Sequence, residues 1–161
     1  MSISRIHRLY YESNYDALFS ELVKLSKTIG LRRALKVLEK MVIEKRLSWI
    51  QKNLGKLKLS EDIVWDGFRI FYNEYLGLQL GRDGVIVYRD NRKIISRWWN
   101  YCPVLEACKR YGLDTRVVCR LAYHKPVELF LRKISRKLRF NRNYDNIRPY
   151  APYCEEIIFL A

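Results

Sequence analysis

Val85-Ile86-Val87-Tyr88-Arg89-Asp90-Asn91-Arg92-Lys93-Ile94-Ile95-Ser96-Arg97-Trp98-Trp99 is where the pattern of this chain changes. Two β-branched and aromatic runs flank the polar Arg89-Asp90-Asn91-Arg92, which predicts a β-hairpin. Upstream, the apolar residues recur at helical spacing. Leu18, Leu22, Leu25 and Ile29 mark one helix, capped by Asn14 or Ser13 and stopped at Gly30. Leu35, Leu38, Met41, Val42 and Trp49 mark a second that ends near Gly55, with Lys and Arg on its opposite, solvated face. Ser60, followed by Glu61 and Asp62, starts a third, whose Phe68, Phe71, Tyr72, Tyr75 and Leu76 read as core.

Downstream of the hairpin the elements shorten. Pro103 suits the first turn of a helix carrying Leu105 and Cys108 and ending at Gly112. Asp114 or Thr115 caps the next helix, which Pro126 should kink or divide. Strands are predicted over Leu138–Tyr144 and Glu155–Leu160. The economical architecture is one α+β domain over residues 1–161, with N-terminal helices packed on a mainly antiparallel sheet from the C-terminal half.

Composition excludes several classes. Hydrophobic residues are 49% of the chain, with 7 Gly and 4 Pro, so it can bury a core and is not a disordered tail. No apolar run reaches the roughly 20 residues of a membrane span. Met1 to Tyr11 are charged early and lack an apolar signal core, and His7 in this stretch is assigned no role. A cytoplasmic location with reduced thiols is the expectation. Two glutamines (Gln51, Gln79) among many Arg, Lys, Ile and Tyr lean towards a thermophile. The formal net charge is +14, carried by both ends of the chain and not by one tail. Such a field attracts nucleic acid, anionic membranes or acidic small molecules.

The cysteines carry the chemistry. Cys102, Cys119 and Cys154 stand in Asn100-Tyr101-Cys102-Pro103, Arg116-Val117-Val118-Cys119 and Tyr153-Cys154-Glu155-Glu156. As thiolates they can hold zinc or another metal with an open position, or one can act as a nucleophile, Cys102 before Pro103 being best placed. As thiols they are buried packing. Cys108, six positions after Cys102, falls on a different helix face and reads as core, and His124 is a weak fourth ligand. Glu155 or Glu156 can shuttle a proton, although their alternation keeps them on opposite strand faces. Of Trp98 and Trp99, one faces the core and the other solvent or ligand; Trp99 is the ligand candidate.

Residues 98–160 resemble the C-terminal region of the L-2-amino-thiazoline-4-carboxylic acid hydrolase-like family. The resemblance runs through Cys102-Pro103, Glu106-Ala107, Gly112-Leu113, Cys119, Leu138-Arg139-Phe140-Asn141-Arg142 and Tyr153-Cys154-Glu155. A more distant likeness is to 4-vinyl-reductase-type small-molecule-binding domains. The resemblance implies hydrolysis of a cyclic amidine C–N bond, with water attacking the ring carbon between sulfur and nitrogen. It places Cys102, Cys119, Cys154 and Glu155 at the reacting centre and Arg142, Arg148 and Trp99 on a small anionic substrate. A ligand-sensing domain without turnover has the same cavity. The rival class is nucleic-acid binding by Arg132, Lys133, Arg136, Lys137, Arg139 and Arg142, interleaved with Phe140, Tyr144 and Tyr150. The oligomeric state is open, and a homodimer is compatible with every reading.

Overall fold

The computed structural model describes residues 3–161; Met1 and Ser2, the start of the stretch read for a signal core, lie outside them. The expected α+β architecture is what forms. Three helices come first: α1 (Ile3–Tyr11), α2 (Tyr15–Ile29) and α3 (Leu31–Asn53). Asn14, not Ser13, caps α2 by accepting the Ala17 N–H at 3.2 Å. Gly30 takes φ +86° between α2 and α3, a conformation that favours glycine. The N-terminal segment packs as α1 by burying Ile6, Leu9 and Tyr10.

α4 (Ile63–Phe68) is capped by Asp62, which accepts the Trp65 N–H at 3.0 Å. Ser60, the expected start, instead bonds the buried Asp66 through both its N–H and its hydroxyl. The helix then widens into a π-helical segment, Arg69–Tyr75. Phe68, Phe71 and Tyr72 are buried as expected, whereas Leu76 is exposed.

The hairpin is β1 (Gly84–Arg89) and β2 (Lys93–Trp98). Asp90 closes it by accepting the Arg92 and Lys93 N–H groups at 2.8 Å each. After it come α5 (Pro103–Tyr111), α6 (Thr115–Val118), a second π-helical segment (Cys119–Tyr123) and α7 (His124–Ile134). The division expected from Pro126 is real: α7 begins at His124, so the proline lies in a first turn, where its missing N–H costs little. The last strands are β3 (Leu138–Arg142) and β4 (Cys154–Leu160), two residues shorter and one longer than expected. The sheet order is β1-β2-β4-β3, every strand pair antiparallel.

Two apolar clusters fill the interior. One joins α1, α2, α3 and α5 around Leu18, Phe19, Leu38 and Cys108. The other packs Phe68, Tyr72 and Phe130 on Trp98, Leu138 and Ile158 of the sheet. At the edge of the second, Gly84 gives Trp98 its room: a Cβ there would meet the indole and lie 2.5 Å from the Arg97 carbonyl oxygen. No helix among the described residues is long and apolar enough to cross a membrane.

Candidate functional site

A cavity of about 310 Å³ draws its walls from both apolar clusters. That volume is at the small end of the roughly 300–1,000 Å³ usual for ligand sites. Cys102, Cys119, Cys154, Arg142 and Arg148 all line it. Residues up to 52 positions apart thus converge, through three different local causes. Cys102 sits at the N-cap of α5, its sulfur 3.5 Å from the Leu105 N–H. Cys119 opens the second π-helical segment. Cys154 opens β4, directly opposite Trp98 of β2.

Strand alternation decides which glutamate reaches the cavity. Cys154 and Glu156 share a face, so Glu156 lines the cavity. Its Oε2 accepts from Arg142 Nε at 3.0 Å, and its Oε1 accepts from the Tyr72 hydroxyl at 2.7 Å. Glu155, placed at the reacting centre by the sequence reading, turns the other way. It accepts from Arg97 at 2.8 Å and Asn143 at 3.1 Å, outside the cavity lining. The same rule corrects the tryptophans. Trp98 is the cavity residue, buried and donating to Ser96 Oγ at 2.8 Å. Trp99 lies beyond β2, 44% exposed, donating to the Arg82 carbonyl.

The two arginines differ in what holds them. Arg142 is nearly buried and neutralised by Glu156, with a further bond from Nη1 to the Cys119 carbonyl at 3.4 Å. Arg148 has no carboxylate partner among the described residues. Its Nε donates to Cys154 Sγ at 3.3 Å, Nη1 donates to the Asn100 carbonyl, and Thr115 Oγ1 pins its own carbonyl at 2.7 Å. A guanidinium so placed keeps donors for an incoming carboxylate.

Cys102 and Cys119 are not activated. Burial pushes Cys102 up despite the Leu105 N–H and the Arg148 charge. Burial raises Cys119 to about 12, against the lowering effect of Arg142. Both are protonated at neutral pH, which disfavours thiolate attack and thiolate ligation alike. Among the described residues no three of His, Cys, Asp and Glu come together as a group that could hold a metal. The three sulfurs share a cavity without forming such a group. His124 is elsewhere, its Nδ1 2.7 Å from the Tyr144 hydroxyl.

Folding takes Arg142 out of the basic track, while Arg132, Lys133, Arg136 and Lys137 stay exposed. Arg142 points into the cavity, Phe140 is buried, and Tyr144 pairs with His124 and Arg120. Of the interleaved aromatics, Tyr150 is the exposed one, with Arg116 over its ring at 4.2 Å.

Tyr72, Tyr123 and Arg46 also line the cavity, and the sequence does not single them out for it. Tyr72 and Tyr123 both lie on π-helical segments, which often mark functional positions and have no sequence signature. In the sequence Arg46 reads as one of the Lys and Arg residues on the solvated face of α3. Its position four after Val42 and three before Trp49 puts it beside the apolar stripe, which was the available signal. In comparisons with family models, curated proteins and solved structures, nothing matches this chain.

Proposed function

We propose that this protein binds a small carboxylate-bearing molecule in the cavity lined by Cys102, Cys119, Cys154, Arg142 and Arg148. The observation that carries this reading is Arg148, a cavity-lining guanidinium anchored on Cys154 Sγ and the Asn100 carbonyl and paired, among the described residues, with no carboxylate. A positive group in a partly apolar cavity recovers its lost solvation when an anion enters.

The resemblance to thiazoline-carboxylate hydrolases adds a reaction to this binding reading. With Cys102 and Cys119 protonated, water is favoured over either of them as the attacking group. In that reaction Glu156 replaces Glu155 as the acid–base group, because it is the carboxylate lining the cavity. Binding without turnover is the simpler function and rests on fewer steps.

The test uses 2-amino-2-thiazoline-4-carboxylate, followed by calorimetry for binding and mass spectrometry for gain of one water. Binding that is lost in Arg148→Gln is expected. Absence of binding to this compound and to benzoate alike sinks the carboxylate reading. Binding without hydration leaves a sensing or carrier role and removes the hydrolase.

A further inference from the structure

We propose that the cavity takes a ligand with two acidic groups joined by a short apolar spacer, and that Arg46 and the Tyr123 hydroxyl form the second anion subsite. This rests on the anion-binding reading above and names its ligand class.

Three buried side-chain polar atoms among the described residues have no hydrogen-bond partner: Arg46 Nε, Arg46 Nη1 and Tyr123 Oη. All three belong to residues that line this one cavity. Tyr123 is 8% exposed. Buried donors without acceptors are rare in folded proteins, because each forfeits its hydration without recompense. Their concentration at a single cavity is what an absent acceptor would leave.

Aromatic faces hold the guanidinium in place. Arg46 Cζ lies 5.3, 5.9 and 5.7 Å from the ring centres of Phe71, Tyr75 and Tyr123. A purely structural clamp would explain those contacts. It leaves the two buried nitrogens unexplained, since rings over the plane do not satisfy in-plane donors.

Charge then sets the ligand class. The ionic cavity residues are Arg46, Arg142, Arg148 and Glu156, and Glu156 is already engaged by Arg142. Burial keeps Cys102 and Cys119 protonated, so neither supplies a compensating charge. Two guanidinium groups therefore remain without an anion. A monoanion satisfies one of them, and a ligand with two acidic groups satisfies both. Leu76, Leu78, Val104 and Ile147 supply the apolar wall for its spacer. Carboxylates and phosphonates share the recognising chemistry, so both are probed.

The experiment titrates the full chain with straight-chain α,ω-dicarboxylates from succinate to suberate, the matching ω-phosphonocarboxylates, and the monomethyl esters of the same diacids. One chain length is expected to bind about 10- to 100-fold more tightly than its monoester, as one charged hydrogen-bonded contact implies. Arg46→Gln should erase that preference, whereas Arg148→Gln should weaken binding of diacid and monoester alike. Tyr123→Phe should shrink the preference, and it removes an unpaired buried hydroxyl, so the variant should fold at least as stably as the parent. A phosphonate that outbinds its dicarboxylate supports the two-anion site and identifies the second group as phosphate-like. Equal affinity of diacids and monoesters, or a preference that survives both Arg46→Gln and Tyr123→Phe, overturns the second subsite while leaving the carboxylate reading intact. No binding of either series overturns both.

Discussion

Arg142 and Glu156 face each other across β3 and β4, their side chains 3.0 Å apart and both about nine-tenths buried. The pair sits in the cavity wall, and Tyr72 donates to the other carboxylate oxygen at 2.7 Å. One registered strand pair thus supplies a fixed dipole, an ordered tyrosine and the boundary between the sheet and the ligand space. Removing either charge leaves the other buried and unpaired, which is costlier than the pair itself is stabilising.

Glu156→Gln should therefore destabilise the fold by about 3 kcal/mol in urea denaturation. Glu155→Gln, one residue away on the opposite face, should have a far smaller effect. Equal losses would show that the two faces are not energetically distinct.

Gly84→Ala should cost about 1–3 kcal/mol through overpacking, because the new methyl meets the Trp98 indole and the Arg97 carbonyl. The measurement is thermal unfolding followed by Trp fluorescence. Trp98 lines the cavity and stacks on Tyr72 at a centroid distance of 4.5 Å, so the same substitution should weaken carboxylate binding. An unchanged melting temperature would contradict the packing at this edge.

Acid should destabilise the protein in a traceable way. Bonds from Asn143 and Arg97 hold Glu155 below the usual carboxylate range. A carboxylate depressed in the folded state adds stability above its unfolded pKa and loses it as pH falls through the folded value. Stability should thus decline below about pH 4, and Asn143→Ala should flatten that limb of the pH–stability curve.

Alkali should act in the opposite sense. Cys119 moves from 9.0 to about 12 on folding. The raised group contributes fully below its unfolded value, and that contribution is lost as pH rises from 9 towards 12, on the order of 1 kcal/mol per unit. Cys119→Ala should make this limb shallower without abolishing it, because burial raises Cys102, Cys108 and tyrosines such as Tyr72 and Tyr123 in the same way. The same protonation predicts slow alkylation of Cys119 by iodoacetamide at pH 7.5, read by peptide mass spectrometry; modification as fast as in the unfolded chain would show an activated thiol.

The helical stripes, the hairpin and the antiparallel partners were legible because they are periodic and local. Leu18-Leu22-Leu25 repeats with the helix, and Asp90-Asn91 interrupts two β-branched runs. The cysteine setting was legible too, in that Cys102, Cys119 and Cys154 do line one cavity with Arg142 and Arg148. The choices between adjacent residues were not. Trp98 against Trp99 and Glu156 against Glu155 depend on which strand face meets the helices, and a shift of one residue inverts both.

What the sequence alone determined about this protein is its α+β class, the order of its elements and the residue types near its cavity, all set by short-range periodicity and turn chemistry. Tertiary structure decided the rest. Only packing of α3 against the second π-helical segment takes Arg46 from an ordinary basic helix face and leaves its donors buried without acceptors. Only the β2-β4-β3 register puts Glu156 on Arg142 and turns Glu155 away. Charge, burial and register are properties of neighbours, and those neighbours are brought together by folding from opposite ends of the chain.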